Sequence, residues 1–159
     1  ARPPLRRELP ARRRGYTQKA AVGGHRVYIR TGEYADGTLG EVHITLPRDG
    51  AALRGMLDSV AAAVSLGLQH GVALQDYVDA YTLTRFGPNG RVEGDADVGF
   101  ATSILDYVFR NLAHAYLGHC TVPEGVPDAA LPDDAPLLPM EMPAQPRARR
   151  AGLRLVATG

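Results

Sequence analysis

An α+β domain is the fold class that this sequence predicts: an antiparallel β-hairpin, open to extension by a partner strand, packed on about three helices. Two stretches in the first third alternate apolar and polar residues at period 2, the pattern of half-buried strands. Three later stretches repeat apolar residues at spacings of three and four, which gives a helix one buried stripe.

Residues 1–19 read as a basic arm. Pro3, Pro4 and Pro10 break helical continuity, and the run Arg12–Arg14 favours solvent. After Gly23-Gly24, "HRVYIRT" puts Val27 and Ile29 on one face and Arg26, Tyr28 and Arg30 on the other. "GEVHITL" repeats the alternation with Val42, Ile44 and Leu46. Asp36-Gly37 between them carries turn chemistry, since glycine accepts positive φ at little steric cost. Residues 25–46 are therefore expected to form the hairpin.

Asp49 is the expected N-cap of a first helix. Leu53, Met56, Leu57, Val60, Ala61, Val64 and Leu68 make its stripe, its alanines keep it thin enough for a neighbour to approach closely, and Gly71 ends it. A short second helix follows near 73–82, with Leu74, Tyr77, Val78 and Tyr81 on one side. Pro88-Asn89-Gly90 marks a loop. A third helix is expected from near Asp95 or Asp97 to Gly118, its early acids suiting the helix dipole. Seven of the twelve prolines fall within 123–146, so 120–159 reads as a proline-rich, mostly disordered tail. The organisation is thus an arm over 1–19, a body over 20–119 and a tail over 120–159. A two-stranded sheet is marginal in water, and homodimerisation through the hairpin would supply its missing cover.

Net charge is +1, which excludes a globally basic nucleic-acid binder. The charge is uneven: residues 1–30 hold nine Arg or Lys against one acid, and residues 31–119 hold five against eleven. A cationic arm on a mildly acidic body follows. Cys120 is the one cysteine, which fits a reducing compartment. No apolar run is expected to near the roughly 20 residues of a membrane span, and no signal core follows the first arginines. The expectation is a soluble cytoplasmic protein with no membrane partner. The first residue is not Met, as in a trimmed sequence or a part of a longer one.

The residues do not name a reaction. His114, His119 and Cys120 cluster in sequence, but the two histidines are five apart and the cysteine has no partner cysteine, so no metal site is assigned. Cys120 follows a helix C-terminus, where the dipole opposes a thiolate. "GGHRVYIRTG" matches neither glycine-rich phosphate-loop pattern. No catalytic, cofactor-binding or metal-binding residue is assigned. Tyr77, Tyr81, Tyr107 and Tyr116 suit core packing, whereas Tyr28 and Tyr34 fit neither the strand's buried face nor a helical period. One feature has chemical reach: Arg12, Arg13, Arg14 and Lys19, interleaved with Tyr16, combine phosphate-neutralising charge with a stacking ring. These five are the candidate contacts to a polyanion or a partner, against the plainer reading of a solubilising flank.

Taken together, "LPARRRGYTQKAAVGGHRVYIRTGEYADGTLGEVHITL", "AAAVSLGLQHGVALQDYVDAYTLTRF" and "ATSILDYVFRNLAHAYLG" resemble the C-terminal, TSCPD-type region of adenosylcobalamin-dependent (class II) ribonucleotide reductases over roughly residues 9–118. The resemblance implies a part of a system that makes deoxyribonucleotides through a thiyl radical and a reducing cysteine pair. That chemistry belongs to a large upstream barrel, and "HCTVPEG" does not reproduce a Thr-Ser-Cys-Pro-Asp string. No catalytic or cobalamin-binding residue carries over, and adenosylcobalamin would belong to a catalytic partner. The implied role is a non-catalytic accessory or regulatory domain, or a small subunit beside a large reductase chain, inactive alone. The other function class is a small nucleic-acid-binding protein using residues 2–19.

Overall fold

The computed structural model describes residues 5–118; the expected tail over 120–159 lies outside them. Eight elements follow one another: β1 (Thr17–Val22), β2 (His25–Glu33), β3 (Leu39–Thr45), α1 (Ala51–Gln69), α2 (Leu74–Tyr81), β4 (Gly90–Glu93), β5 (Phe100–Ala101) and α3 (Ile104–Leu117). The strands form one antiparallel sheet in the order β3-β2-β1-β4-β5. The fold is α+β with three helices, and the expected hairpin is β2–β3. Its register sets Ile29 against Ile44 inside and Arg30 against His43 outside.

The sheet is larger than the two strands the alternation reveals. Gly23 and Gly24 both take positive φ, 55° and 84°, and form the two-residue turn of a second hairpin, β1–β2. β1 is thereby the central strand, and it begins inside the stretch expected to be an arm. Ala20, Val22, Val27, Ile29, Val42 and Ile44 cover one face of the sheet and are buried. α3 and α1 lie on that face. α3 is buried on every side from Ile104 to Ala113, as befits a helix in the middle of a core.

α3 starts later than its acids suggest. Asp95 and Asp97 belong to the β4–β5 connection, where Val92 N–H donates to the Gly99 carbonyl at 2.9 Å. The cap is Ser103, whose Oγ accepts from Asp106 N–H at 2.9 Å. Asp49 likewise does not cap α1. Gly50 holds that position, and Asp49 Oδ1 is instead 2.8 Å from His25 Nδ1. The helix ends fall near their expected glycines: Gly71 follows α1 and Gly118 caps α3, at φ 93° and 71°.

The apolar face of the sheet is covered from within the chain, so the missing cover that motivated a hairpin dimer is supplied. The outer edge of β3 is met by α1: Ser65 Oγ accepts from Val42 N–H at 2.9 Å, and Gln69 Nε2 donates to the Gly40 carbonyl at 3.0 Å. Edge groups that would template another strand are bonded at these positions. α1 also corrects the expectation about apolar runs. At 19 residues and a mean hydropathy of 1.3 it is long and apolar enough to cross a bilayer by length and composition alone. Its inward side, with Leu57, Ala61 and Val64, nonetheless belongs to the core.

Candidate interaction surfaces

The segment before β1 is tied to the body by side chains that the sequence shows only as charge. Arg7 N–H donates to the Gln69 carbonyl at 2.8 Å, and Arg6 Nε donates to Gln69 Oε1 at 2.7 Å. The Arg7 guanidinium lies 3.8 Å over the Tyr34 ring and reaches Asp36 at 3.1 Å. Tyr34 Oη donates to the Arg7 carbonyl at 2.7 Å. Hydrogen bonds from Thr38 and Arg7 hold the Asp36 carboxyl down to about 2. Arg13 pairs with Glu41 at 2.6 Å. Burial pushes Glu41 up, but hydrogen bonds and charge from His43 and Arg13 outweigh it, and its carboxyl sits below the usual range.

Of the five candidate contact residues, three stay together. Arg12, Arg13 and Arg14 line one groove of about 440 Å³ that Glu33 and Tyr34 also line. Tyr16 turns away from them. Its Oη donates to Asn111 Oδ1 on α3 at 2.6 Å, and its ring stacks on Tyr116 with centroids 6.0 Å apart. Lys19 stands on β1, opposite Tyr28 of β2.

Tyr16 opens a polar seam between sheet and helix. Asn111 Nδ2 and Tyr107 Oη both donate to Asp95 Oδ2, at 2.8 and 2.9 Å. Tyr116 Oη contacts Thr31 Oγ1 at 2.9 Å and Glu33 Oε1 at 2.7 Å. Burial pushes the phenols of Tyr16, Tyr107 and Tyr116 well above their ordinary value; the neighbouring Asp95 charge adds to it for Tyr16 and Tyr107, and that of Glu33 for Tyr16 and Tyr116. At neutral pH all three keep their protons and serve as donors that lock the layers together, not as bases. Asp95, Asn111 and Asp106 escape sequence reading as structural acceptors, because nothing in their spacing distinguishes them from solvated polar positions of a helix.

Among the described residues, two surfaces remain open. The first is the outward side of α1, where Met56 is 69% and Leu66 46% exposed beside exposed Ala52, Gly55, Ser59, Ala62 and Ala63. The second is the sheet's other face. Lys19, Arg26, Arg30, Thr45 and His43 are exposed there around a half-buried Tyr28. The sequence places Arg26, Tyr28 and Arg30 together; Lys19 joins them only through the unforeseen strand β1.

The TSCPD domain family model matches residues 3–116. Among similar proteins, the vitamin B12-dependent ribonucleotide reductase of Bradyrhizobium diazoefficiens is 61% identical over 112 residues, 70% of this chain and 9% of that protein. The protein of that name from Agrobacterium fabrum is 58% identical over 113 residues, 71% of this chain and 9% of its own length. That from Streptomyces avermitilis is 45% identical over 114 residues, 72% of this chain and 12% of its own. The chain thus spans about a tenth of the length of these relatives. No solved structure matches it.

Proposed function

The chain belongs to the TSCPD domain family, and on that premise we propose that it is the accessory, non-catalytic domain of a vitamin B12-dependent ribonucleotide reductase system. It works against a large catalytic portion that carries the adenosylcobalamin. The observation that supports this most is the pairing of high identity with small coverage: 61% over a stretch that is only 9% of the relative's length. A region so similar, within a protein so much longer, has the rest of that protein as its natural neighbour. Thiol-based reduction needs a cysteine pair, and this sequence has a single cysteine, Cys120.

The outward side of α1 is the docking surface in this reading. Small residues let another backbone approach closely, and Met56 and Leu66 supply apolar area. Burying each contributes on the order of 1.5–3 kcal/mol before the cost of association. The nucleic-acid reading of the arm is less favoured, because Tyr16 faces α3 and leaves the arginines without their stacking ring.

The test is sedimentation of the purified chain with a purified B12-dependent reductase chain truncated before this region. A complex at micromolar concentration is expected, along with a change in deoxyribonucleotide formation when the chain is added back. Ala62→Glu should abolish the complex with circular dichroism unchanged. Absence of any complex at tens of micromolar, or deoxyribonucleotide formation by this chain alone, would refute the proposal.

A further inference from the structure

We infer that the uncovered face of the sheet is a platform for single-stranded nucleic acid, with Tyr28 as the stacking ring and Lys19, Arg26 and Arg30 as phosphate contacts. The inference rests on the strand register and stands apart from the α1 docking surface.

Tyr28 lies between Lys19 and Thr45 across the strands, and between Arg26 and Arg30 along its own. Directly opposed residues have Cβ atoms about 5 Å apart. Arg26 and Arg30 are four residues apart, about 13 Å along a strand, with the ring midway. Lys19, Arg26 and Arg30 are all exposed, and their side chains have no hydrogen bond or ion pair among the described residues. The acids of this face do not neutralise them. Glu41 is taken by Arg13 and His43, and Glu93 stands opposite Ala21, with β1 between it and Arg26, and makes no ion pair among the described residues.

This concentration of charge is informative because the body from β1 to α3 is mildly acidic, with eight basic residues, these three among them, against eleven acidic ones over 17–118. Gathering three unpaired cations on one side of such a body costs self-repulsion, which a polyanionic partner relieves. The aromatic centre selects among polyanions. An acidic protein surface matches the charge but offers the ring nothing flat to stack on. Duplex bases are stacked and paired already, and this face has no projecting helix or loop to enter a groove. Unpaired bases on a phosphate backbone satisfy both features.

The experiment uses the full chain and a fluorescein-labelled 15-mer of thymidylate, read by anisotropy over a salt series. Saturable binding is expected at 50 mM salt, with a log–log slope of about −2 for three phosphate contacts on a single strand. Arg26→Glu with Arg30→Glu should weaken binding at least tenfold and flatten the slope by more than one unit. Tyr28→Leu keeps an apolar strand residue; it should weaken binding roughly five- to hundredfold with the slope unchanged. Circular dichroism checks that each variant folds. The inference is overturned if no binding appears at 50 mM salt, or if a duplex binds as tightly. It is overturned in favour of an acidic protein if polyglutamate competes equally and Tyr28→Leu changes nothing. It is overturned in favour of the arm if Arg12→Glu with Arg14→Glu abolishes binding and the strand variants do not.

Discussion

Asp106 shows how much one buried side chain organises. It is fully buried, yet each of its oxygens has a donor: Oδ1 accepts from Leu83 N–H at 2.7 Å, and Oδ2 from Thr102 N–H at 3.0 Å, with Arg110 Nη1 at 3.5 Å. Leu83 lies just past α2 with a left-handed φ of 62°, and Thr102 just before α3. One carboxylate therefore fixes both ends of the excursion that carries β4 and β5. Arg110 is nearly buried, and its Nε has no partner among the described residues, so it depends on its remaining contacts. In Asp106→Asn the amide keeps one acceptor and points a donor at another N–H. A loss of about 3 kcal/mol is expected, from an unpaired buried donor plus an arginine without its carboxylate. Urea denaturation reads it directly, and a loss under 1 kcal/mol would mean that the site rearranges around the substitution. In the sequence Asp106 reads only as one of the early acids of a helix expected to begin near Asp95 or Asp97. Its real partners are brought to it by chain reversals that no local pattern announces.

Among the elements, legibility follows amphipathicity. β2 and β3 alternate cleanly, and the stripes of α1 and α2 repeat at three and four, so each is readable from local spacing. β1 is not. "TQKAAV" holds one β-branched residue at each end and two alanines between, a composition with little strand preference. It becomes a strand because it is placed between β2 and β4, where its backbone is bonded on both sides. β5 is only two residues, Phe100 and Ala101, too short for a period. The signal that could reveal β1 is Gly23-Gly24 at hairpin spacing. The two glycines differ in what they permit. A Cβ at Gly24 would meet nothing within 4 Å, whereas one at Gly23 would overlap the Asn89 carbonyl of the loop before β4. Gly23 N–H also donates to the Arg91 carbonyl at 2.9 Å. Both substitutions to alanine incur the left-handed cost of roughly 1–2 kcal/mol. Gly23→Ala must in addition push β4 away, so its destabilisation should be at least twice that of Gly24→Ala. Equal losses in chemical denaturation would show that the β4 loop yields freely.

At the scale of the whole molecule, the seam of tyrosines makes the fold sensitive to alkali. Tyr16 of the β1 lead-in and Tyr107 and Tyr116 of α3 bridge the sheet layer to the helix layer as donors. Burial and nearby carboxylates raise all three above their ordinary value. The sign follows from proton linkage. Above pH of about 10 the unfolded chain releases these protons while the folded chain retains them, so stability is complete below that pH and falls as pH rises. Each fully shielded phenol contributes a slope of roughly 1.4 kcal/mol per pH unit. Tyr16 and Tyr116 are only partly buried, and solvent screening lowers their share. A domain with about 5–10 kcal/mol of stability is then lost between about pH 11 and 13. Because the seam spans both layers, the loss should be one cooperative event. Tyrosinate absorbance at 295 nm from these three residues is expected to rise together with the fall of far-ultraviolet circular dichroism, and Tyr16→Phe should make the alkaline transition shallower. A gradual absorbance rise with the circular dichroism intact would mean that the phenols reach solvent without unfolding, and that the seam does not hold the layers together.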